Sequence, residues 1–281
     1  MRQMRFQVYL QPLINRLFYG NVWIALMAAI QPHFSALLLN SPSLPFLDLF
    51  LFFATLAYYN LDRWVEVLSE RPQSERLLWL KANQNEWGAF TLLPLLLAAY
   101  FFTLLIHGAQ IAIIFAGLLA LMYSLPAKIR FAPKRLGWLK PLLVTGVWTL
   151  LGPGMLVLES ASPSPINLAL SLAYFFWFLC LSLTFEWRDR HKDHLAQVAN
   201  VWRQQSLKSI SNILIALHTF STFFLLYFSN LNEGFIVISM FTSTLICRWA
   251  VQKEQEMGYL FGVDGLLLLV PLLLWLGEAI R

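Results

Sequence analysis

The chain has 281 residues, of which 58% are hydrophobic and only 12% charged, and its mean hydropathy is +0.62. That composition excludes a soluble domain of this length. The net charge of +5 would point to nucleic acid in a soluble protein, but a membrane protein gathers a basic excess in its inner loops, so no nucleic-acid partner is expected.

The apolar runs, in chain order, are 17–39, 44–61, 87–106, 111–125, 142–158, 166–185, 210–228, 235–251 and 259–276. Each is near the ~20 residues that carry an α-helix across a bilayer, with the shorter ones inside the scatter that tilt allows. Blocks of this length, rather than alternating segments of ~10 residues, predict an all-α polytopic membrane bundle and not a barrel. The expectation is nine transmembrane helices forming one domain over residues 1–281. The first run follows a polar arm and can act as its own insertion signal, so no cleavable signal peptide is needed.

Basic residues fix the orientation. Arg2, Arg5 and Arg16 precede or open the first run, and Arg63, Arg71, Arg76 and Lys81 follow the second. Lys128, Arg130, Lys134, Arg135 and Lys140 follow the fourth, and Arg188, Arg190, Lys192, Arg203 and Lys208 follow the sixth. Arg248 and Lys253 lie around the end of the eighth, leaving only Arg281 on the opposite side. The positive-inside bias therefore predicts a cytoplasmic N-terminus and an outward C-terminus. In a bacterium the host membrane would be the cytoplasmic one.

Three polar constellations follow even-numbered runs, in long connections of the kind that carry sites on a rigid scaffold. The first is Tyr58-Tyr59-Asn60-Leu61-Asp62-Arg63-Trp64-Val65-Glu66. Asp62 and Glu66 are four apart, so a continuing helix sets both carboxylates on one face, where they repel without a counter-ion. The second, after the fourth run, extends from Tyr123 through Lys128, Arg130, Lys134 and Arg135 to Lys140. A cationic loop suits an anionic, phosphate-bearing substrate, and it suits plain topology signalling equally. The third is Glu186-Trp187-Arg188-Asp189-Arg190-His191-Lys192-Asp193, where spacings of three and four put Glu186, Asp189 and Asp193 on one stripe. Two acidic stripes can hold Mg²⁺, which takes oxygen ligands and commonly bridges to phosphates. Alternatively they are solvated helix ends with Trp64 and Trp187 as interfacial anchors.

The remaining reactive side chains read as structural. Cys180 and Cys247 lie in predicted helices and suggest small apolar packers, not a disulfide or a thiolate metal site. His33, His107 and His218 lack ligand spacing and read as packing or interfacial residues. Asp264, near the start of the last run, either faces a polar cavity or caps its helix.

Taken together, nine helices, acidic motifs after the second and sixth, and a Tyr-Ser…Lys…Arg loop after the fourth resemble the UbiA superfamily of intramembrane prenyltransferases. The resemblance covers essentially the whole chain. Members have Asp-x-x-Asp-x-x-x-Asp as the second motif, which Glu186, Asp189 and Asp193 match with a conservative Glu at the start. At the first motif, Asn-Asp-x-x-Asp-x-x-x-Asp, this chain keeps Asp62 and Glu66 at the last two acidic positions. Tyr58 and Tyr59 occupy the Asn-Asp positions, with Asn60 displaced. Arg16 and Asn21 resemble an Arg/Asn pair that often lies beside the substrate diphosphate.

The resemblance implies Mg²⁺-dependent transfer of an isoprenoid chain from an isoprenyl diphosphate to an aromatic or lipid acceptor, as in quinone or lipid biosynthesis. It also implies metal ligands Asp62, Glu66, Glu186, Asp189 and Asp193. Arg16, Asn21, Asn60, Tyr123, Lys128, Arg130, Lys134 and Arg135 would line the substrate. Aromatic faces, with Tyr58, Tyr59, Tyr123 and Trp148 as candidates, could stabilise an allylic cation. The degenerate first motif favours a second reading, a non-catalytic membrane carrier or assembly protein on the same scaffold.

Overall fold

The computed structural model describes residues 12–39, 41–69, 75–124, 136–159, 164–195, 198–228 and 231–280, and among them no strand occurs. The chain begins with α1 (Pro12–Phe18) and α2 (Val22–Leu38), which are bent by 49°. The bend falls at Gly20-Asn21, where Asn21 has φ of 63°. Asn visits this left-handed region more readily than most residues because its short polar side chain can bond locally.

Next come α3 (Leu47–Ser69), α4 (Glu75–Ala82), α5 (Gln84–Thr103) and α6 (His107–Ser124). The α7 helix (Leu139–Thr149) runs through a π turn (Leu150–Gly154) into α8 (Met155–Glu159). Gly152 leaves helical geometry there, with φ −91° and ψ −111°. The following Pro153 explains the break, since a proline ring pushes the residue before it out of the α region. The longest helix, α9 (Pro165–Leu195), precedes α10 (Leu207–Phe228) and α11 (Glu233–Lys253). A second π turn (Gly258–Val263) leads into α12 (Asp264–Ala279).

Each apolar run of the sequence is helical over most of its described part, the first being interrupted at residues 19–21. Six stretches are long and apolar enough to cross a membrane, or seven if the bent α1–α2 pair counts as one span. The α3 helix departs from that pattern because it continues beyond its apolar run through Asp62, Arg63 and Glu66 to Ser69. The α6 helix is apolar but shorter. Large apolar side chains such as Leu92, Leu96, Ile111 and Leu118 stand exposed, as lipid-facing residues do and as a soluble surface does not. The protein is a helical, multi-pass membrane protein.

The chain divides into two compact units, Met1–Ile30 with Pro45–Leu105, and Gln31–Leu44 with Ile106–Arg281. In the first unit α3 packs on α5 through aromatic pairs, Phe53 on Phe101 and Phe50 on Phe102. At the other end of α5, Leu77 and Leu80 of α4 bury against Trp87. In the second unit α9 is the core helix, with 67% of its apolar window buried. Phe176 of α9 stacks on Phe220 and Phe224 of α10. The α11 and α12 helices meet at Gly277, where a Cβ would lie 2.6 Å from Phe235. Lipid supplies no hydrophobic drive between helices, so close packing over such small residues carries the association.

Candidate functional site

Both helices that carry acidic motifs run on past their apolar segments, α3 to Ser69 and α9 to Leu195. The stripes predicted from spacings of three and four therefore do lie on helix. What their side chains meet differs between the two units.

In the first unit the motif centres on an amide and not on a carboxylate. Asn60 is fully buried, accepts a 2.7 Å hydrogen bond from Asn21 Nδ2 and donates to the Phe90 carbonyl at 3.0 Å. Arg76 donates from its guanidinium to Asn21 Oδ1. Two residues expected beside a substrate, Asn21 and Asn60, thus bind each other and a third, Arg76, that the sequence did not single out. The left-handed backbone at Asn21 aims its amide at both partners. Asp62 lies half-buried with Arg63 4.0 Å away, and the Glu66 side chain lies outside the described residues. Tyr58 and Tyr59 meet edge to face. Arg16 pairs with Glu86 at 3.0 Å, and both stand about half exposed. That pair lies on a small cleft shared with Trp79, Asn83 and Trp87.

In the second unit the acidic stripe is bound by cations of the same chain. Lys140, near the start of α7, reaches Glu186 at 2.8 Å and Asp193 at 3.0 Å, and all three side chains are nearly buried. Asn200 adds its amide to both carboxylates, at 3.2 Å and 2.8 Å, and to the Glu186 carbonyl at 2.9 Å. Asp189 receives two bonds from Arg188, at 2.7 and 3.1 Å. Three carboxylates therefore face two cations, and the cluster keeps one negative charge. Removing so many charges from water is costly unless they are paired and hydrogen-bonded; here every carboxylate is hydrogen-bonded, and Glu186 and Asp193 share one cation.

The packing that holds Lys140 and Asn200 in place is aromatic. Trp202 is buried, bonds the Leu183 carbonyl through Nε1 at 2.9 Å, and lies edge-on between Trp138 and Trp187. Its backbone N–H donates to Asn200 Oδ1 at 2.8 Å, which fixes the amide orientation. Gly137 permits the approach, since a Cβ there would sit 3.2 Å from the backbone of Asn200 and Val201. Beyond the stripe, Arg190 covers the Trp187 ring at 3.9 Å and pairs with Glu254 at 2.7 Å. Arg188 lies over Phe185 and Tyr259.

Of the residues expected at the basic loop, Lys128, Arg130, Lys134 and Arg135 lie outside the described residues. Tyr123 closes α6 within electrostatic range of Lys140. Lys140, Asn200, Trp202 and Arg76 carry much of the two networks without having been read as site residues. Only Lys140 left a signal, as the last cation of a basic loop that adjoins an apolar run. Trp148 packs on Phe178, and Asp264 is buried at the head of α12.

Cys180, His218 and Cys247 are buried, as the sequence reading of packing residues expects, and they also lie together. Their ligand atoms all lie within 4.8 Å of one another, on α9, α10 and α11. Spacing along the chain could not reveal this, because each residue comes from a different helix.

No protein-family model, no curated protein and no solved structure matches the chain.

Proposed function

We propose that this protein is an intramembrane prenyltransferase, which moves an isoprenoid chain from its diphosphate to a hydrophobic or aromatic acceptor. One observation carries the reading: three carboxylates, two cations and an amide gathered at one end of the core helix of a membrane bundle. A scaffold needs no such concentration of buried charge at the end of its core helix. The resemblance of Glu186, Asp189 and Asp193 to the second prenyltransferase motif gives the charge its meaning. In the same reading the chain has nine spans and a cytoplasmic N-terminus, and in a bacterium it would lie in the cytoplasmic membrane.

The oxygen-only donor set of Glu186, Asp189 and Asp193 fits Mg²⁺, a hard cation, provided Lys140 turns from the carboxylates to a phosphate. Bound there, Mg²⁺ would supply positive charge to the departing diphosphate. The chain's own part is to present the cations. Lys140 is a point charge able to exchange a carboxylate for a phosphate oxygen, and its ammonium would then stabilise charge growing on the leaving group. Asn200 would keep Glu186 and Asp193 oriented while Lys140 moves. The hydrocarbon surroundings exclude the water that would quench an allylic cation.

A specific observation favours the second reading, a non-catalytic carrier or assembly protein. Each carboxylate of the stripe already has a cation of this chain, and amides and tyrosines replace acids in the first motif. The deciding experiment is a membrane assay with labelled isoprenyl diphosphates of several lengths and aromatic or lipid acceptors, with and without Mg²⁺. Transfer by the wild type and its loss in Asp189→Asn and Asp193→Asn support the enzyme. No transfer and no diphosphate binding by any preparation gives the molecule to the second reading.

A further inference from the structure

We propose that Cys180, His218 and Cys247 form a binding site for one soft metal ion, with Cu(I) as the ion that fits. Both cysteines of the chain meet one histidine inside the second unit, from three helices. Cys180 Sγ lies 3.1 Å from His218 Nδ1, and all three donor atoms fall within 4.8 Å of one another. All three residues are buried, at 0%, 3% and 0% exposure. His218 sits midway along the apolar α10 helix, where packing alone calls for no imidazole.

The surroundings hold the imidazole as a ligand's surroundings do. His218 Nε2 lies 2.8 Å from Ser243 Oγ, and that oxygen also accepts a hydrogen bond from Trp177 Nε1 at 3.1 Å. A ring N–H donated from Nε2 to Ser243 leaves the Nδ1 lone pair on the side of the two sulfurs. Outer hydrogen bonds of this kind set the tautomer and orientation of metal-bound histidines. In the metal-free chain Nδ1–H can instead donate to the Leu214 carbonyl, 2.9 Å away, so metal binding at Nδ1 requires the ring proton to sit on Nε2, where Ser243 Oγ accepts it.

The donor set selects the ion. Two sulfurs and an imidazole nitrogen, with no carboxylate in the cluster, exclude hard cations such as Mg²⁺ and Ca²⁺. Structural zinc completes a tetrahedron with a fourth protein ligand, and Ser243 Oγ, on the Nε2 side of the ring away from the sulfurs, cannot supply it. Cu(I) takes soft thiolate ligands and is stable at low coordination number. Binding would release thiol protons to solvent as the sulfurs become thiolates.

The test uses the full chain in detergent micelles, stripped of metal, reduced with a phosphine and kept free of oxygen. Cu(I) is titrated in competition with a chromogenic Cu(I) chelator, and X-ray absorption at the copper edge reports the ligands. The expected result is one Cu(I) per chain with sulfur and nitrogen neighbours, and loss of that uptake in Cys180→Ala/Cys247→Ala. Ser243→Ala, which leaves all three ligands in place, should weaken binding about 10- to 100-fold. Absence of Cu(I) uptake by the wild type, or equal uptake by a folded double-cysteine variant, overturns the site. Uptake of Zn²⁺ in preference to Cu(I) overturns the choice of ion. If the double variant does not fold, a copper shell without sulfur in the wild type is enough to refute the assignment.

Discussion

The end of α3 holds its polar groups with amides, while the end of α9 holds them with charges. At α3, Asn60 is closed by Asn21 and the Phe90 carbonyl, with Arg76 supporting Asn21 from behind. At α9, Glu186 and Asp193 share Lys140 and Asn200, and Asp189 holds Arg188. In both networks the buried amides and carboxylates find partners, as buried polar groups need. They differ in what a ligand could do to them. The α3 network joins two neutral amides to one guanidinium and contains no carboxylate bond, so it acts as a fastening, whereas in the α9 network a lysine held by carboxylates can trade one of them for a phosphate oxygen. In the proposed function, the second motif is accordingly the half that would respond to an anionic substrate.

That difference can be broken from either side. The largest effect is expected at Lys140: Lys140→Met leaves two buried carboxylates without their cation and should destabilise the second unit by about 3–5 kcal/mol. Denaturation of the purified protein in detergent measures it. Adding Glu186→Gln to Lys140→Met should recover part of the loss, because the two residues are coupled through one contact. A loss no greater than that of a surface lysine would mean that the clamp is not formed.

A smaller effect is expected in the first unit. Asn60→Ala removes the partner of Asn21 and of a helix carbonyl and should cost about 1–3 kcal/mol, read by the same denaturation. Because no charge is exposed, it should also leave any diphosphate affinity nearly unchanged, which separates fastening from site. The smallest effect belongs to Arg16→Ala, whose pair with Glu86 is about half exposed on both sides. Such pairs contribute about 0–1 kcal/mol and weaken with salt. A large loss of diphosphate binding in Arg16→Ala would move the substrate site into the first unit.

The helical architecture was legible because long apolar blocks are a property of local sequence. The acidic stripe of α9 was legible for the same reason, since helical period alone sets Glu186, Asp189 and Asp193 on one face. Lys140 was not, because its partnership with residues 46 and 53 positions away depends on how α7 packs against α9. Nor was Trp202, which wedges between two other tryptophans and looks like any interfacial aromatic in the sequence. The proximity of Cys180, His218 and Cys247 was invisible for a related reason: ligand spacing is informative only when the ligands share a loop or helix. Asn21 and Asn60 were picked out together, but as substrate contacts, and the structure joins them to each other.

The most direct test of the central claim, that the α9 cluster receives an isoprenyl diphosphate, is equilibrium binding of a labelled, non-reacting isoprenyl diphosphate analogue to purified protein with and without Mg²⁺. The prediction is Mg²⁺-dependent binding by the wild type that falls at least about tenfold, or 1.4 kcal/mol, in Asp189→Asn and Asp193→Asn, and falls less in Glu66→Gln. Equal affinity in the wild type and both α9 variants would contradict it.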